Sequence, residues 1–171
     1  LTMAKNWYFE INDYCNTLSE VYDVPLIKVA GIMSALSPNN TVRLNCISLE
    51  KFLRYNGNCK VTTFNGQKKK ALTILQSNDN ITVEEVKEIL SSNVNSGLKT
   101  KAFFDNIYRP HTSTEVTIDL WMIRWAKIEG SLTPKKYRDT AQKIIEMAKE
   151  IGVIPHMLQA KIWVDIRGEA Y

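Results

Sequence analysis

The chain is poor in the residues that metal sites and disulfide frameworks require. Its 171 residues include only three cysteines and two histidines. Cys15, Cys46 and Cys59 contain no Cys-x-x-Cys pair and are odd in number, which indicates neither a zinc site nor a disulfide framework. His111 and His156 lie too far apart for the i,i+4 spacing of a helical metal pair. We therefore expect reduced thiols and neither a metal nor another cofactor.

Long apolar runs are also absent. No stretch approaches the roughly 18 consecutive apolar residues of a membrane span, and no secretory leader is visible. Hydrophobic residues make up 44% and charged residues 23% of the chain, which is the ordinary composition of a globular protein. These features predict a cytoplasmic protein without a membrane partner. The net charge of +4 is compatible with a nucleic-acid partner but does not require one.

Apolar residues recur at helical spacing along almost the whole chain, and alternating strand patterns are scarce. Thr82 opens a capping box, and Thr133-Pro134 combines an N-cap with proline at the first helical position. By the same reasoning, Ser37-Pro38 predicts the start of a helix that runs to about residue 55. A further helix is expected over residues 117–129. The pattern predicts an all-α fold, a compact bundle of about nine helices that forms a single domain over residues 1–171.

Two short segments carry the motif of greatest chemical interest. Gly97-Leu98-Lys99-Thr100 precedes an apolar helix, and Val116-Thr117-Ile118-Asp119 follows that helix after a polar loop. This arrangement resembles the helix-hairpin-helix DNA glycosylases, especially the endonuclease III-like branch. Residues 32–37, followed by Thr41, Val42 and Asn45, resemble the central apolar helix of the same family and the threonine and asparagine that follow it. The whole chain is also similar to a group of uncharacterised bacteriophage proteins of that type, which share a C-terminal Gln-Ala-x-x-Trp-Val, here residues 159–164.

The resemblance implies a glycosylase-like fold without an iron–sulfur cluster, because the four-cysteine loop of that family is absent. It implies an enzyme that binds double-stranded DNA, flips out a damaged or modified base and cleaves its N-glycosidic bond. Asp119 would stabilise the positive charge that develops on the sugar. Lys99 or Lys101 would be the amine that forms a Schiff base in an added lyase reaction. The alignment leaves the choice between the two lysines open.

The DNA contacts implied by the resemblance lie in three places along the chain. Asn39 falls where these enzymes often carry the residue that fills the gap left by a flipped base. The hairpin would hold a phosphate through its backbone, and three consecutive lysines could contact phosphates. The full set of expected DNA-binding residues is Asn39, Asn40, Gly97, Thr100, Lys68, Lys69 and Lys70.

Each of these assignments has a structural alternative. Asp119 is well placed to cap the helix that follows it, and the lysines could be solvated surface charges. Trp121, Trp125 and Trp163 are more typical of core packing than of base stacking. The hairpin keeps one glycine, and Trp121 replaces a histidine that is common in the family. These departures favour a second hypothesis, a catalytically inactive or base-modifying DNA-binding protein on the same scaffold; a helical protein-interaction module is the third.

Overall fold

The computed structural model describes residues 6–168. Within that range the chain forms nine helices and no strand, which confirms the predicted all-α class. None of these helices combines the length and the apolar character needed to cross a membrane. In chain order the helices are α1 (Trp7–Tyr22), α2 (Leu26–Ala35), α3 (Val42–Arg54), α4 (Asn65–Gln76), α5 (Val83–Leu90), α6 (Leu98–Tyr108), α7 (Leu120–Trp125), α8 (Pro134–Ile151) and α9 (Pro155–Arg167).

Helix α2 is the centre of the first apolar cluster. It is apolar on nearly every face, and residues 27–36 are all buried, as expected for a helix surrounded by others. Helices α1, α3, α4, α5 and α6 pack around it. Gly31 permits the close approach of α5, because a Cβ at that position would lie only 2.9 Å from Val86 Cγ1. A side chain there would push α5 away from the core.

A second apolar cluster is formed by α7, α8, α9 and the extended segment before α7. Its buried members include Val116, Ile118, Ile144 and Trp163. The Tyr137 hydroxyl of α8 donates to Val116 O at 2.8 Å and accepts from Ile118 N at 3.2 Å. These two bonds hold the extended segment, which lacks a strand partner, against α8.

Several helix ends follow the predicted capping signals. Thr82 and Glu85 form the complete capping box at the start of α5. Thr133 caps α8, Pro134 occupies its first turn, and α8 ends at Gly152 in the left-handed conformation. These ends depend on local hydrogen bonds and backbone geometry, which the sequence specifies directly.

The predicted helix start at Ser37-Pro38 is wrong. The Ser37 hydroxyl donates to Ser34 O at 2.7 Å and so belongs to the end of α2. The chain then turns, with Asn39 at a φ of 55°, and the Thr41 hydroxyl caps α3 by accepting from Leu44 N at 3.2 Å. The helix expected over 117–129 is also shorter, because residues up to Asp119 are extended and α7 ends at Trp125.

Candidate functional site

A pocket opens between the two apolar clusters. It encloses about 680 Å³ of empty space when its mouth is included. The polypeptide contributes to it from α1, from the α2–α3 turn and α3, from α6, from the segment before α7, and from α9. The lining residues are Trp7, Tyr8, Ser37, Asn40, Val42, Asn45, Lys99, Phe103, Thr117, Asp119, Gln159, Ala160, Trp163 and Arg167.

Asp119 lies on the pocket wall and also caps α7. Its Oδ1 accepts from Trp121 N at 3.0 Å and from Met122 N at 3.1 Å. Its Oδ2 accepts from the indole Nε1 of Trp163 at 2.9 Å. The structural and the functional interpretation of Asp119 therefore describe the same arrangement, because one oxygen anchors the helix and the other is fixed at the pocket by a tryptophan.

The two candidate lysines have different surroundings. Lys99 lines the pocket, and within residues 6–168 its amine makes no hydrogen bond or ion pair. Lys101 is outside the lining, and its Nζ donates to Asn93 O at 3.0 Å. The geometry therefore places Lys99, and not Lys101, on the same cavity as Asp119.

A shallower groove adjoins the pocket at the start of α6. Gly97, Lys99 and Thr100 line it together with Thr133 and Tyr137, so Lys99 borders both cavities. Gly97 has a φ of 61°, and a Cβ there would lie 2.6 Å from Ser91 Cβ. This position therefore requires glycine.

The two expected asparagines are placed differently. Asn40 lines the pocket; its Nδ2 donates to Leu36 O at 3.2 Å, and its Oδ1 accepts from the Thr62 hydroxyl at 2.9 Å. Asn39 is exposed on the turn beside it and is not part of the lining. Its left-handed conformation is one that asparagine tolerates better than most residues.

The three consecutive lysines of α4 are not brought to the pocket. Lys68 Nζ donates to Cys59 O and Lys70 Nζ donates to Leu90 O, each a carbonyl near the end of a neighbouring segment. Lys69 is exposed. Two of the three ammonium groups thus bind the protein's own backbone.

Helix α9 supplies pocket-lining side chains that sequence reasoning assigned to the core or missed. Gln159 and Trp163 are one helical turn apart and both face the pocket. Gln159 Oε1 accepts from the Tyr8 hydroxyl at 2.7 Å, and the guanidinium of Arg167 lies 4.8 Å from the centre of the Trp163 ring. The Gln-Ala-x-x-Trp motif was the available signal, since its i,i+4 spacing puts both polar tips on one face.

Tyr8 is neutral and acts as a hydrogen-bonding group. Burial raises the pKa of Tyr8 well above its usual value, and the nearby Asp119 carboxylate adds to that rise. The Thr117 hydroxyl also faces the phenol. Tyr8 therefore donates to Gln159 over the whole physiological pH range.

Behind Thr117 runs a fully bonded polar network, which we call the Asp105 cluster: Lys87, Asp105, Asn106, Arg109, Ser113 and Thr117. Thr117 donates to Asn106 Oδ1 at 2.9 Å, and Asn106 Nδ2 donates to the Ser113 hydroxyl and to Glu115 O, both at 2.9 Å. Ser113 donates to Asp105 Oδ1 at 2.6 Å. The cluster thus connects the pocket wall to a buried carboxylate.

Two cations complete the Asp105 cluster. Lys87 Nζ lies 2.8 Å and Arg109 NH2 2.7 Å from Asp105 Oδ2. Burial alone would raise the pKa of Asp105, but hydrogen bonds from Arg109, Lys87 and Ser113 outweigh it and lower the pKa below the usual value. The carboxylate is therefore ionised and paired.

Asn45 is the exception to this pattern of satisfied polar groups. It lines the pocket from α3 and is only 2% exposed. Its Oδ1 is buried and has no hydrogen-bond partner within the described part of the chain. The other such atom, His156 Nδ1, is not part of the pocket lining.

Across residues 6–168, no group of three or more histidine, cysteine, aspartate or glutamate side chains is arranged to hold a metal ion. A model for a family of unknown function (DUF7178) matches residues 2–170. Neither a curated protein nor a solved structure matches the chain.

Proposed function

The chain belongs to this family, whose function is unknown, and we propose that it is a DNA glycosylase-like enzyme that acts on a damaged or modified base flipped out of the duplex. The observation that carries the proposal is the meeting of Asp119 and Lys99 on one pocket lined by aromatic rings. A carboxylate can stabilise the positive charge that develops when an N-glycosidic bond breaks, and an amine can act as the nucleophile of an added lyase step.

In the proposed reaction the base enters the pocket and water attacks C1′ of its sugar while the base departs. Positive charge develops on the sugar, and the Asp119 carboxylate stabilises it. The three N–H groups that bind Asp119 fix its position before the substrate arrives. Such preorganisation lowers the barrier because the carboxylate needs no rearrangement in the transition state.

Lys99 is the proposed amine for a lyase step. It would attack C1′ in place of water, expel the base and form a Schiff base with the opened sugar. Its free amine supports this role, whereas the Lys101 amine is bound to a backbone carbonyl. The groove at Gly97 and Thr100, which Lys99 also borders, would receive the adjoining DNA backbone.

The test uses end-labelled duplexes that carry abasic, oxidised, deaminated, alkylated and bacteriophage-type modified bases, resolved with and without hot alkali. We expect alkali-dependent breaks on at least one duplex and a loss of about 100-fold or more in Asp119→Asn. Breaks without alkali would add the lyase step. Borohydride should then trap a covalent complex with wild type and with Lys101→Ala, but not with Lys99→Ala.

One observation favours a second candidate, a catalytically inactive DNA-binding protein. Both oxygens of Asp119 already have protein partners, so the residue could serve α7 alone. This candidate predicts salt-sensitive binding to duplex DNA with no breaks on any substrate. It also predicts that Asp119→Asn changes stability without a change in any turnover.

A further inference from the structure

The polar side chains that line the pocket differ in what they offer to a ligand. Their oxygens are mostly engaged, since hydrogen bonds within the protein occupy those of Tyr8, Ser37, Asn40, Thr117, Asp119 and Gln159. The Asn45 oxygen is unbonded but enclosed, so no ligand reaches it. The side-chain nitrogens of Lys99, Gln159 and Arg167 have no hydrogen-bond partner within residues 6–168. The unused hydrogen-bonding capacity of the pocket therefore lies mainly in donors.

Among these donors, Gln159 has a fixed direction. Its Oε1 accepts from the Tyr8 hydroxyl at 2.7 Å. That separation is typical of an O–H···O bond, whereas an N–H···O bond is usually about 2.9 to 3.0 Å long, so the oxygen is the end of the amide that faces Tyr8. Edge contacts with Phe103 and His156 hold the Tyr8 ring in turn. The Gln159 nitrogen therefore points away from Tyr8.

The Gln159 nitrogen is open to the pocket. One face of α9 forms a pocket wall through Gln159, Ala160, Trp163 and Arg167, which are spaced as neighbours on a helix. Gln159 as a whole is only 4% exposed, yet its unbonded nitrogen is not among the enclosed atoms. The small accessible area of this residue thus lies where the residue lines the pocket, and its N–H group is presented to a ligand.

The aromatic part of the lining indicates the shape of that ligand. The rings of Trp7 and Phe103 lie 6.1 Å apart in a stacked arrangement, and Trp163 lies 6.1 Å from Trp7. All three line the pocket. Aromatic walls favour a flat ring that can stack on them or meet their edges.

We infer that the pocket takes a planar base with a ring carbonyl group, and that Gln159 Nε2 donates a hydrogen bond to the carbonyl oxygen. This inference rests on the proposed function and names the class of base. Uracil and hypoxanthine carry a carbonyl group where cytosine and adenine carry an amino group. An amino group at Gln159 would set one donor against another and leave both unpaired, so the amino bases are rejected. Gln159 is thus the specificity-determining residue, and Tyr8 is the positioning residue that fixes its amide.

The first test uses the wild-type protein and free bases. The probes are 1-methyluracil and 9-methylhypoxanthine, each paired with its amino counterpart, 1-methylcytosine and 9-methyladenine; a methyl group takes the place of the sugar. Titration of isotope-labelled protein, followed by NMR, gives the affinity and the position of the Gln159 side-chain NH2 resonance together. We expect at least one carbonyl base to bind about tenfold more tightly than its counterpart and to move that resonance to lower field, as a new hydrogen bond does.

The second test changes the donor and its positioning residue separately. Gln159→Glu keeps an acceptor for Tyr8 but replaces the N–H group by an oxygen, so the preference for the carbonyl base should disappear. Tyr8→Phe removes the proton that orients the amide, which can then turn either end to the ligand. The carbonyl base should still bind, but its preference should fall toward one. The matched control is Tyr14→Phe on the same helix, which removes a hydroxyl bonded to Cys46 O outside the pocket lining and should keep the wild-type preference.

Several results would overturn the inference: equal binding of the paired bases by wild type, tighter binding of the amino bases, a Gln159 NH2 resonance that does not move when a carbonyl base binds, or no binding of any of the bases. A wild-type preference in Tyr8→Phe would overturn the positioning role of Tyr8. The wild-type titration decides on its own if a variant fails to fold. Since no measurement uses duplex DNA, the duplex cleavage assay decides the proposed function separately.

Discussion

The Asp105 cluster and the pocket share a wall at Thr117 but differ in how their polar groups are satisfied. In the Asp105 cluster, every buried side-chain N–H and oxygen atom has a partner, and the buried carboxylate has two cations. In the pocket, neither the Lys99 amine nor the Asn45 amide oxygen has a hydrogen-bond partner within residues 6–168. The Asp105 cluster is thus fully bonded, whereas the pocket that we propose as the active site keeps polar groups without a partner in the described part of the chain.

Removing Asp105 should give the largest effect. Asp105→Ala leaves Lys87 and Arg109 without their buried partner and breaks the bonds to Ser113, so the free energy of unfolding should fall by about 3 kcal/mol. Urea unfolding measures this change. The control is Asp165→Ala, which removes an exposed ion pair with Lys161 and should cost less than about 1 kcal/mol. Equal losses in the two variants would mean that the buried hydrogen bonds and ion pairs of Asp105 stabilise the fold no more than an exposed ion pair does.

Removing the indole N–H at the pocket should have an intermediate effect. Trp163→Phe keeps a ring in the second apolar cluster but withdraws the donor to Asp119 Oδ2. We expect a loss of about 1 kcal/mol in the free energy of unfolding. If the glycosylase proposal is correct, cleavage should slow more than duplex binding weakens, because Trp163 would act by positioning the Asp119 carboxylate. Unchanged cleavage would show that the Trp163 indole does not position the Asp119 carboxylate for the reaction.

Only one of the two ring nitrogens of His156 has a hydrogen-bond partner in the described part of the chain. Replacing His156 should give the smallest of the expected changes in stability. Its Nε2 donates to Pro110 O at 2.6 Å, but its Nδ1 has no hydrogen-bond partner within residues 6–168. Burial lowers the pKa of His156, so the folded protein resists protonation. Stability should be complete above about pH 6.5, the unfolded value, and decline as pH falls toward the folded pKa.

Two pH windows separate the contributions of His156 and Asp105. His156→Gln should flatten the decline below about pH 6.5. The Asp105 contribution, with a lowered pKa, is present above about pH 4 and is lost only as pH falls further. Chemical denaturation at a series of pH values measures both. A wild-type profile that is flat from about pH 6.5 down to about pH 4 would contradict the assignment to His156.

The capped helix ends could be predicted because their signals are local. Thr82, Thr133 and Gly152 each determine an end through bonds or dihedral angles within a few residues. Ser37-Pro38 carries the same signal, but Ser37 binds back to α2 and the helix begins at Val42. A cap sequence identifies a bend in the chain without saying which of the two neighbouring helices uses it.

The pocket could be predicted only in part. Asp119 and Lys99 followed from a sequence motif, and the structure places both on one cavity. Gln159 and Trp163 stood in a recognisable motif, but their convergence with Tyr8 depends on how α9 packs against α1. Asn45 stood in the segment that resembles the family's central helix, but its lack of a partner could not be predicted, since an unsatisfied amide is defined by groups that the fold fails to bring near.

The position of the pocket between the two apolar clusters has a thermodynamic consequence. Trp7 and Phe103 belong to the first cluster and Trp163 to the second, so a bound ligand would contact both. Opening of either cluster alone would then release the ligand, and its binding free energy would be added to the cost of that opening. Ligand occupancy should therefore slow amide hydrogen exchange in α2 and α8 together, because the ligand would link the two clusters.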